Sequence, residues 1–332
     1  MADFKSILVT GGAGYIGSVL TSTLVKKGYS VRVIDSLIYG NDGISKLLDE
    51  NAIQFIEGDI RDESLLENSL EGIDCILHLA AIVGEPLCNR IPEAARQINE
   101  FATTKLIKAC KKKHVKRLIF SSTCSNYGSS AEIVNETTPL HYLSLYSETK
   151  VKSESLILSS KKDNFEPCVL RFATAFGYSL RMRFDLLLHE LIRDAIVDKK
   201  IVIFGPNYWR PLVHIQDIAN ACIKAIESST DQVSGEVYNV GGNNENYKKI
   251  QLAQLVREKI PTTSIEIQEL KKDPRNYRVS FDKIKDKLQF KVEKTVSDGI
   301  QEIVEKINNE DLDPRTSEFS NMVKMTEKVQ VF

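Results

Sequence analysis

The chain is predicted to be an α/β protein in which a doubly wound parallel sheet forms the larger part and a smaller α/β lobe is added from the C-terminal half. Three observations lead there. From Lys5 to about Arg171, short β-rich apolar runs alternate with longer stretches of helical period, the pattern of parallel strands covered by helices on both faces. The first run, Ile7-Leu8-Val9, passes straight into the glycine-rich turn Thr10-Gly11-Gly12-Ala13-Gly14-Tyr15-Ile16-Gly17-Ser18, which opens an amphipathic helix. Beyond Phe172 the alternation becomes irregular, which marks a second lobe.

In chain order, strands are predicted at 7–10, 31–35, 53–57, 75–79, 117–121 and 168–171, with helices near 15–27, 62–70, 93–113 and 143–161. Doubly wound sheets take ligands at the carboxyl ends of their strands, which directs attention to Gly11, Asp35, Asp59, Ala80, Ser122 and Phe172. After these come the cationic loop Arg181-Met182-Arg183, a strand at 201–204, and a loop at 206–211 holding the single tryptophan, Trp209. Segments 213–227 and 237–240 return to the first lobe, and Pro274-Arg275-Asn276-Tyr277-Arg278 belongs to a second excursion. The expected division is a nucleotide-binding domain at 1–175 plus 213–242, a substrate lobe at 176–212 plus 243–310, and a polar tail at 311–332.

A chain of 332 residues can bury a large core. Its net charge of −1 provides no global basic field, so nucleic acid is not expected as a partner. The six cysteines are scattered singly, without the CxxC spacing of zinc or redox sites, so they are expected to be reduced and no metal is expected. No run of 18 apolar residues and no secretory leader is recognisable, so neither membrane insertion nor export is expected and the cytoplasm is the expected location.

The glycines at 11, 14 and 17 have a chemical reading. Residues without side chains let the backbone approach a dinucleotide pyrophosphate, and the free N–H groups and dipole of the following helix favour its negative charge. A second strand ends in Asp35, about 20 residues beyond the glycines, where a carboxylate accepts hydrogen bonds from an adenosine ribose. A carboxylate there would repel a 2′-phosphate, and the nearby cation Arg32 is expected to point away, so the cofactor read from these residues is NAD rather than NADP.

A second group follows the fifth strand. Ser121-Ser122-Thr123-Cys124-Ser125-Asn126-Tyr127-Gly128 ends it, and the next helix carries Tyr146 and Lys150, four apart and on one face. A lysine cation beside a phenol lowers its pKa, so Tyr146 is expected to serve as a base that takes a proton from a substrate hydroxyl, with Thr123 hydrogen-bonded to that hydroxyl. His78 is expected to be a packed strand residue.

In order and spacing, the glycine loop, the strand-end hydroxyls and YxxxK resemble the extended short-chain dehydrogenase/reductases, over about residues 5–305. The resemblance implies a Rossmann domain and a catalytic set of Thr123, Tyr146 and Lys150. It implies an NAD site formed by Gly11, Gly14, Tyr15, Ile16, Gly17, Asp35, Asp59, Ile60, Leu79, Ala80, Ala81, Asn99 and Lys150, with Asn99 ordering the site or bonding backbone. The segments LRFATAFG, PLVHIQDI and NVGG are similar to those of enzymes acting on nucleotide-diphosphate sugars, which puts Thr174, Arg183, Arg210 and Arg275 around the substrate, with Arg210 on its pyrophosphate. Family members commonly pair helices into a homodimer, which is expected here.

Several departures narrow the chemistry. The 4,6-dehydratases of the family carry Asp-Glu directly after the catalytic Thr, but Cys124-Ser125 stand here, a poor acid/base pair near neutrality, so dehydration is not expected. Thr174 replaces the usual Asn beside the substrate phosphates, and Lys271-Lys272-Asp273-Pro274-Arg275 replaces R-x-G-D. With the segments at 80–88, 181–188 and 273–281, these features are similar to a branch of GDP-heptose 4-dehydrogenases. The expected function is oxidation at C4 of a nucleotide-diphosphate sugar. Epimerisation is the first outcome and net 4-dehydrogenation the second, and a non-catalytic NAD-binding sensor or scaffold stands apart as a different class.

Overall fold

The structure, a computed structural model, describes residues 4–268, 275–309 and 312–328. The strands β1 (Ser6–Thr10), β2 (Ser30–Asp35), β3 (Gln54–Glu57), β4 (Cys75–His78) and β5 (Arg117–Thr123) alternate with helices. The chain then leaves through β6 (Ser129–Val134), rejoins at β7 (Glu166–Phe172), and runs on through β8 (Thr174–Phe176), β9 (Lys200–Phe204) and β10 (Trp209–His214). It returns once more as β11 (Glu236–Val240) before β12 (Asn246–Lys248), β13 (Ser264–Gln268) and β14 (Asn276–Val279).

Seven strands form one parallel sheet in the order β11-β7-β5-β4-β1-β2-β3. Strand order reverses between β1 and β4, which pair Ile7 with Cys75 and Thr10 with His78. At such a switch point the flanking connections run to opposite faces and leave a crevice at the carboxyl ends. Leu8, Val9, Ile76, Leu77, Leu118 and Ile119 are all buried, as expected of strands covered on both sides. The central strands begin and end within two residues of the expected bounds.

The helices differ more from expectation. The stretch read as one helix near 93–113 is three pieces: Pro92–Arg96, a π-helical turn at Gln97–Phe101, and Ala102–Lys112. Short helices at Ser45–Asp49 and Glu85–Arg90 were not expected, because each is too brief to show a period.

The smaller lobe is built from two small sheets. In one, β10 pairs β8 in parallel and β12 antiparallel; in the other, β13 pairs β9 in parallel. A further pair, β14 with β6, ties the second excursion to the loop after β5. The lobe has its own apolar cluster, including Phe176, Leu188, Ile192, Leu212, Leu252 and Ile300. The helix Ile215–Glu227 packs on the helix Tyr15–Lys26 of the larger sheet. The polar C-terminal stretch carries the helix Asn321–Lys328, packed against the helix Glu85–Arg90.

Candidate active site

A cavity of about 310 Å³ lies over the carboxyl ends of the parallel sheet. Its wall includes Gly11, Gly14, Tyr15, Ile16, Gly17, Asp35, Asp59, Ile60, Leu79, Ala80 and Ala81 from the first strands and turns. Thr123, Tyr146, Lys150, Thr174, Arg183 and Arg275 also face it, so one space gathers nearly all of the residues singled out from sequence.

The three glycines have different reasons to be glycine. Gly11 has φ +74°, and a Cβ there would stand 2.8 Å from the Ala80 nitrogen, so the turn itself requires it. At Gly17 a Cβ would fall 2.1 Å from the Gly11 carbonyl oxygen, so helix and turn could not pack. Gly14 is different, since its Cβ would meet only that oxygen, at 3.3 Å, and protein packing alone tolerates more there. Gly14 is also the N-cap of the helix Tyr15–Lys26 and supplies no side-chain cap, so the N–H groups of the first turn are presented to the cavity. This cradle fits a dinucleotide pyrophosphate: all three glycines line the cavity, and Gly14 is the one whose lack of a side chain is least explained by protein packing.

Asp35 ends β2. It accepts the Ala13 N–H at 2.9 Å and the Leu37 N–H at 2.9 Å, one on each carboxylate oxygen, which leaves each oxygen a further lone pair for a ribose hydroxyl. Burial raises its pKa above the ordinary value, against the lowering effect of those backbone bonds. Arg32 points away as expected, with its guanidinium on Gln54 and on the carbonyls of Ser69 and Glu71. Partial burial pushes Asp59 upward, but the Arg61 guanidinium, on both carboxylate oxygens at 2.6 to 3.0 Å, holds it below the usual carboxylate range.

The helix Leu145–Ser159 is started by a reciprocal cap in which Ser144 Oγ accepts from Ser147 N and Ser147 Oγ accepts from Ser144 N, both at 3.3 Å. That start puts Tyr146 in the first turn and Lys150 one turn later. Lys150 Nζ donates to the Ser121 carbonyl at 2.7 Å and lies 4.5 Å from the centre of the Phe120 ring. Its burial brings its pKa from 10.5 down to about 8, with the Glu154 carboxylate opposing the fall. Thr123 ends β5, and its Oγ1 accepts the Ser125 N–H at 3.1 Å.

One electrostatic expectation is corrected. The Tyr146 phenol is not lowered: burial pushes its pKa up, and the cations that pull against this are Arg183 and Arg275 rather than Lys150. The physical reason is desolvation, which costs a buried phenolate its hydration and outweighs the cations around it. Behind these groups, Glu154 takes Arg171 Nη2 at 2.7 Å, Arg171 Nε at 3.1 and 3.2 Å and Asn126 Nδ2 at 2.8 Å, and it also accepts from Ser122 Oγ. Arg171 reaches the Tyr127 hydroxyl at 3.0 Å, and that hydroxyl donates to Asn239 at 2.8 Å. Sequence reading missed this buried pair, although Glu154 falls on the same helix four residues after Lys150.

Two candidates lie outside the cavity wall. Asn99, assigned from the resemblance to the cofactor site, sits in the π-helical turn and exchanges hydrogen bonds with the Ile82 backbone at 2.8 and 2.9 Å while donating to Thr149 Oγ1 at 3.2 Å. It fastens the turn after β4 to the Tyr146 helix, and its neighbour Ile98 lines the cavity instead. Arg210 is buried, and its Nη1 donates to the carbonyls of Trp209, at 2.7 Å, and Arg275. It braces the chain at Arg275, and Arg275 is the arginine that reaches the cavity. Lys271, Lys272, Asp273 and Pro274 lie outside the described residues.

Cys124 is fully buried, with its thiol donating to the Arg171 carbonyl at 3.2 Å and its pKa pushed well up by that burial. It is a packed thiol with no face on the cavity. All six cysteines are buried and none is disulfide-bonded. His78 is held neutral by burial, its pKa brought down to about 3, between the Thr10 and Thr103 hydroxyls. The wall also includes Tyr39, Asn321 and Met325, which sequence reading did not find, and Arg181, which it placed in the cationic loop without assigning it to the site. Among the described residues no helix is long and apolar enough to cross a membrane.

Known proteins are similar to this chain in sequence and in fold. Residues 7–241 match the model of the NAD dependent epimerase/dehydratase family. An uncharacterised UDP-glucose epimerase of Bacillus subtilis is 36% identical over 250 residues, which is 71% of this chain and 76% of that protein. The UDP-glucose 4-epimerase of Lactobacillus helveticus is 32% identical over 254 residues, with the same coverage of 71% and 76%. Among solved structures, the UDP-glucuronic acid 4-epimerase of Bacillus cereus, in complex with UDP-glucuronic acid and NAD, superposes with a TM-score of 0.83 at 30% identity, covering 91% of this chain and 99% of that one.

Proposed function

The chain belongs to the NAD-dependent epimerase/dehydratase family, an enzyme family of the extended short-chain dehydrogenase/reductase type, and we propose that it is an NAD-dependent 4-epimerase of a nucleotide-diphosphate sugar. The observation that carries this reading is the single cavity shared by the glycine-rich turn, Asp35 and the group Thr123, Tyr146 and Lys150. Gly14 and the open first turn of its helix would hold the pyrophosphate of NAD, and Asp35 the adenosine ribose. When bound, NAD supplies a hydride acceptor for C4 of the sugar and a donor for its return.

The chain's own residues handle the proton. Tyr146 takes it from the C4 hydroxyl and gives it back, and Thr123 holds that hydroxyl in line by a hydrogen bond. Because burial raises the phenol, its ionisation depends on positive charge at the cavity, which Arg183 and Arg275 supply. The same two arginines are placed for the sugar nucleotide's phosphates, whose oxygens match a guanidinium fork. Lys150, anchored on Ser121, faces the cofactor side. In this reading residues 1–175 with 213–242 carry the dinucleotide, and 176–212 with 243–310 carry the sugar. The relatives named above support epimerisation and give net 4-dehydrogenation no support.

The test is incubation of purified protein with UDP-, GDP-, dTDP- and CDP-hexoses, following absorbance at the NADH band and sugar configuration by NMR. A C4-epimeric product without net NADH, lost in Tyr146→Phe, is expected. NADH accumulating in step with a 4-keto sugar, or turnover unchanged in Tyr146→Phe, would overturn the proposal.

A further inference from the structure

We infer that the C-terminal strap at 319–325 is part of the cofactor site, in which Asn321 positions Arg181 against the adenosine half of the bound dinucleotide and so slows its release. The inference rests on the NAD site proposed above.

Arg181 stands beside the glycine-rich turn. A Cβ on Gly43 would meet Ala13 O at 2.9 Å and Arg181 Cβ at 3.1 Å, and Ser179, two residues before Arg181, bonds Ser18 of the first helix at 2.9 Å. The guanidinium lies 4.7 Å from the centre of the Tyr39 ring, on the Asp35 side of the cavity. Arg181 is only 4% exposed, yet its Nε has no hydrogen-bond partner among the described residues. Nε itself is closed off, so what Arg181 presents to the cavity it lines is the positive charge of its guanidinium, a partner for a ribose or phosphate oxygen of the dinucleotide.

Asn321 fixes that guanidinium from outside. Its Oδ1 accepts Arg181 Nη2 at 2.6 Å, and its backbone N–H donates to Asp185 Oδ2 at 3.1 Å. Asp185 in turn holds Arg183 through Nε at 2.9 Å and Nη2 at 3.2 Å, so Asn321 is coupled to both arginines of the loop that face the cavity. The strap is seated by Phe319, whose carbonyl accepts Phe184 N at 2.9 Å and whose ring packs edge-on at 5.6 Å from that of Phe184. Met325, 1% exposed, joins Ile60 and Ile82 in one apolar cluster and closes the wall there. Release of the adenosine half therefore requires the strap to lift. For an epimerase this is useful, because the reduced cofactor must stay bound until hydride is returned.

The test is NADH release from the full-length protein without any sugar, by stopped-flow chase of bound NADH fluorescence with excess NAD. Asn321→Ala should speed release about tenfold, the worth of one hydrogen bond to a charged group, while UDP affinity stays unchanged because alanine keeps the backbone bond to Asp185 that holds Arg183. Val323→Ala, on the exposed side of the same helix, should release NADH at the wild-type rate. A chain ended after Thr316 should release it faster still, and if that chain fails to fold, Asn321→Ala decides. Release within twofold of wild type in Asn321→Ala overturns the inference. Tight NADH binding with unaltered release removes the strap alone, whereas a wild-type protein that binds no NADH removes the underlying reading as well.

Discussion

Replacing Glu154 by glutamine should weaken both the fold and the chemistry, by amounts that follow from its surroundings. The carboxylate is nearly inaccessible and takes donors from Arg171, Asn126 and Ser122, so neutralising it leaves the Arg171 guanidinium buried with a neutral amide. Removing one partner of a buried pair costs about 3–5 kcal/mol. For 332 residues, at about 2.1 cal/mol/K per residue, the unfolding entropy is about 0.7 kcal/mol/K, so the midpoint should fall by about 4–7 °C. Glu154 also opposes the fall in the Lys150 pKa. Without it, Lys150 should titrate below about 8, and the alkaline limb of kcat, where the ammonium facing the cofactor loses its charge, should move toward neutrality. Calorimetry at pH 7 and a kcat profile from pH 6 to 10 read the two effects separately. A midpoint within about 1 °C of wild type would refute the energetic argument, and an unmoved alkaline limb would refute the link to Lys150.

Other expectations follow from the same geometry. Lys150→Met should abolish turnover yet stabilise the protein. A folded pKa of about 8 against 10.5 unfolded costs about 3 kcal/mol below pH 8, and this cost vanishes as pH rises toward 10.5, so the gain in thermal midpoint should be largest at pH 7 and close by pH 10.5. Gly14→Ala should fold almost as well as wild type but lose NAD, whereas Gly17→Ala should lose thermal stability outright; calorimetry with and without NAD separates the two, and equal destabilisation would contradict the assignment. Phe101, 45% exposed, and Leu156, 36% exposed, lie on the neighbouring helical elements at 97–101 and 145–159. If a homodimer forms through these elements, light scattering should show it at micromolar concentration, and Phe101→Glu with Leu156→Glu should give monomers.

Which parts of the site were legible in sequence follows from how locally each is encoded. Gly11, Gly14, Gly17 and Asp35 occupy one strand-turn-helix-strand unit, where spacing alone sets geometry, and Tyr146 and Lys150 share a helix face through a four-residue step. The arginines could not be ranked in that way. Arg210 and Arg275 are 65 residues apart, and only the meeting of β10 with the chain before β14 shows that one guanidinium braces the other's backbone while the other faces the cavity. The phenol pKa follows the same rule: the four-residue step predicts that Tyr146 and Lys150 are close, but it carries no information on how deeply tertiary packing buries the phenol. The C-terminal tail was the least legible. Its polar, weakly periodic sequence hides two wall residues because Asn321 gains its role from Arg181, 140 residues earlier, and Met325 from an apolar cluster that includes Ile60 and Ile82, distant in sequence. A tail that packs on a ligand site needs only a few inward residues, too few to produce a period. Its contribution is therefore to be sought in the rate at which the dinucleotide leaves rather than in any motif.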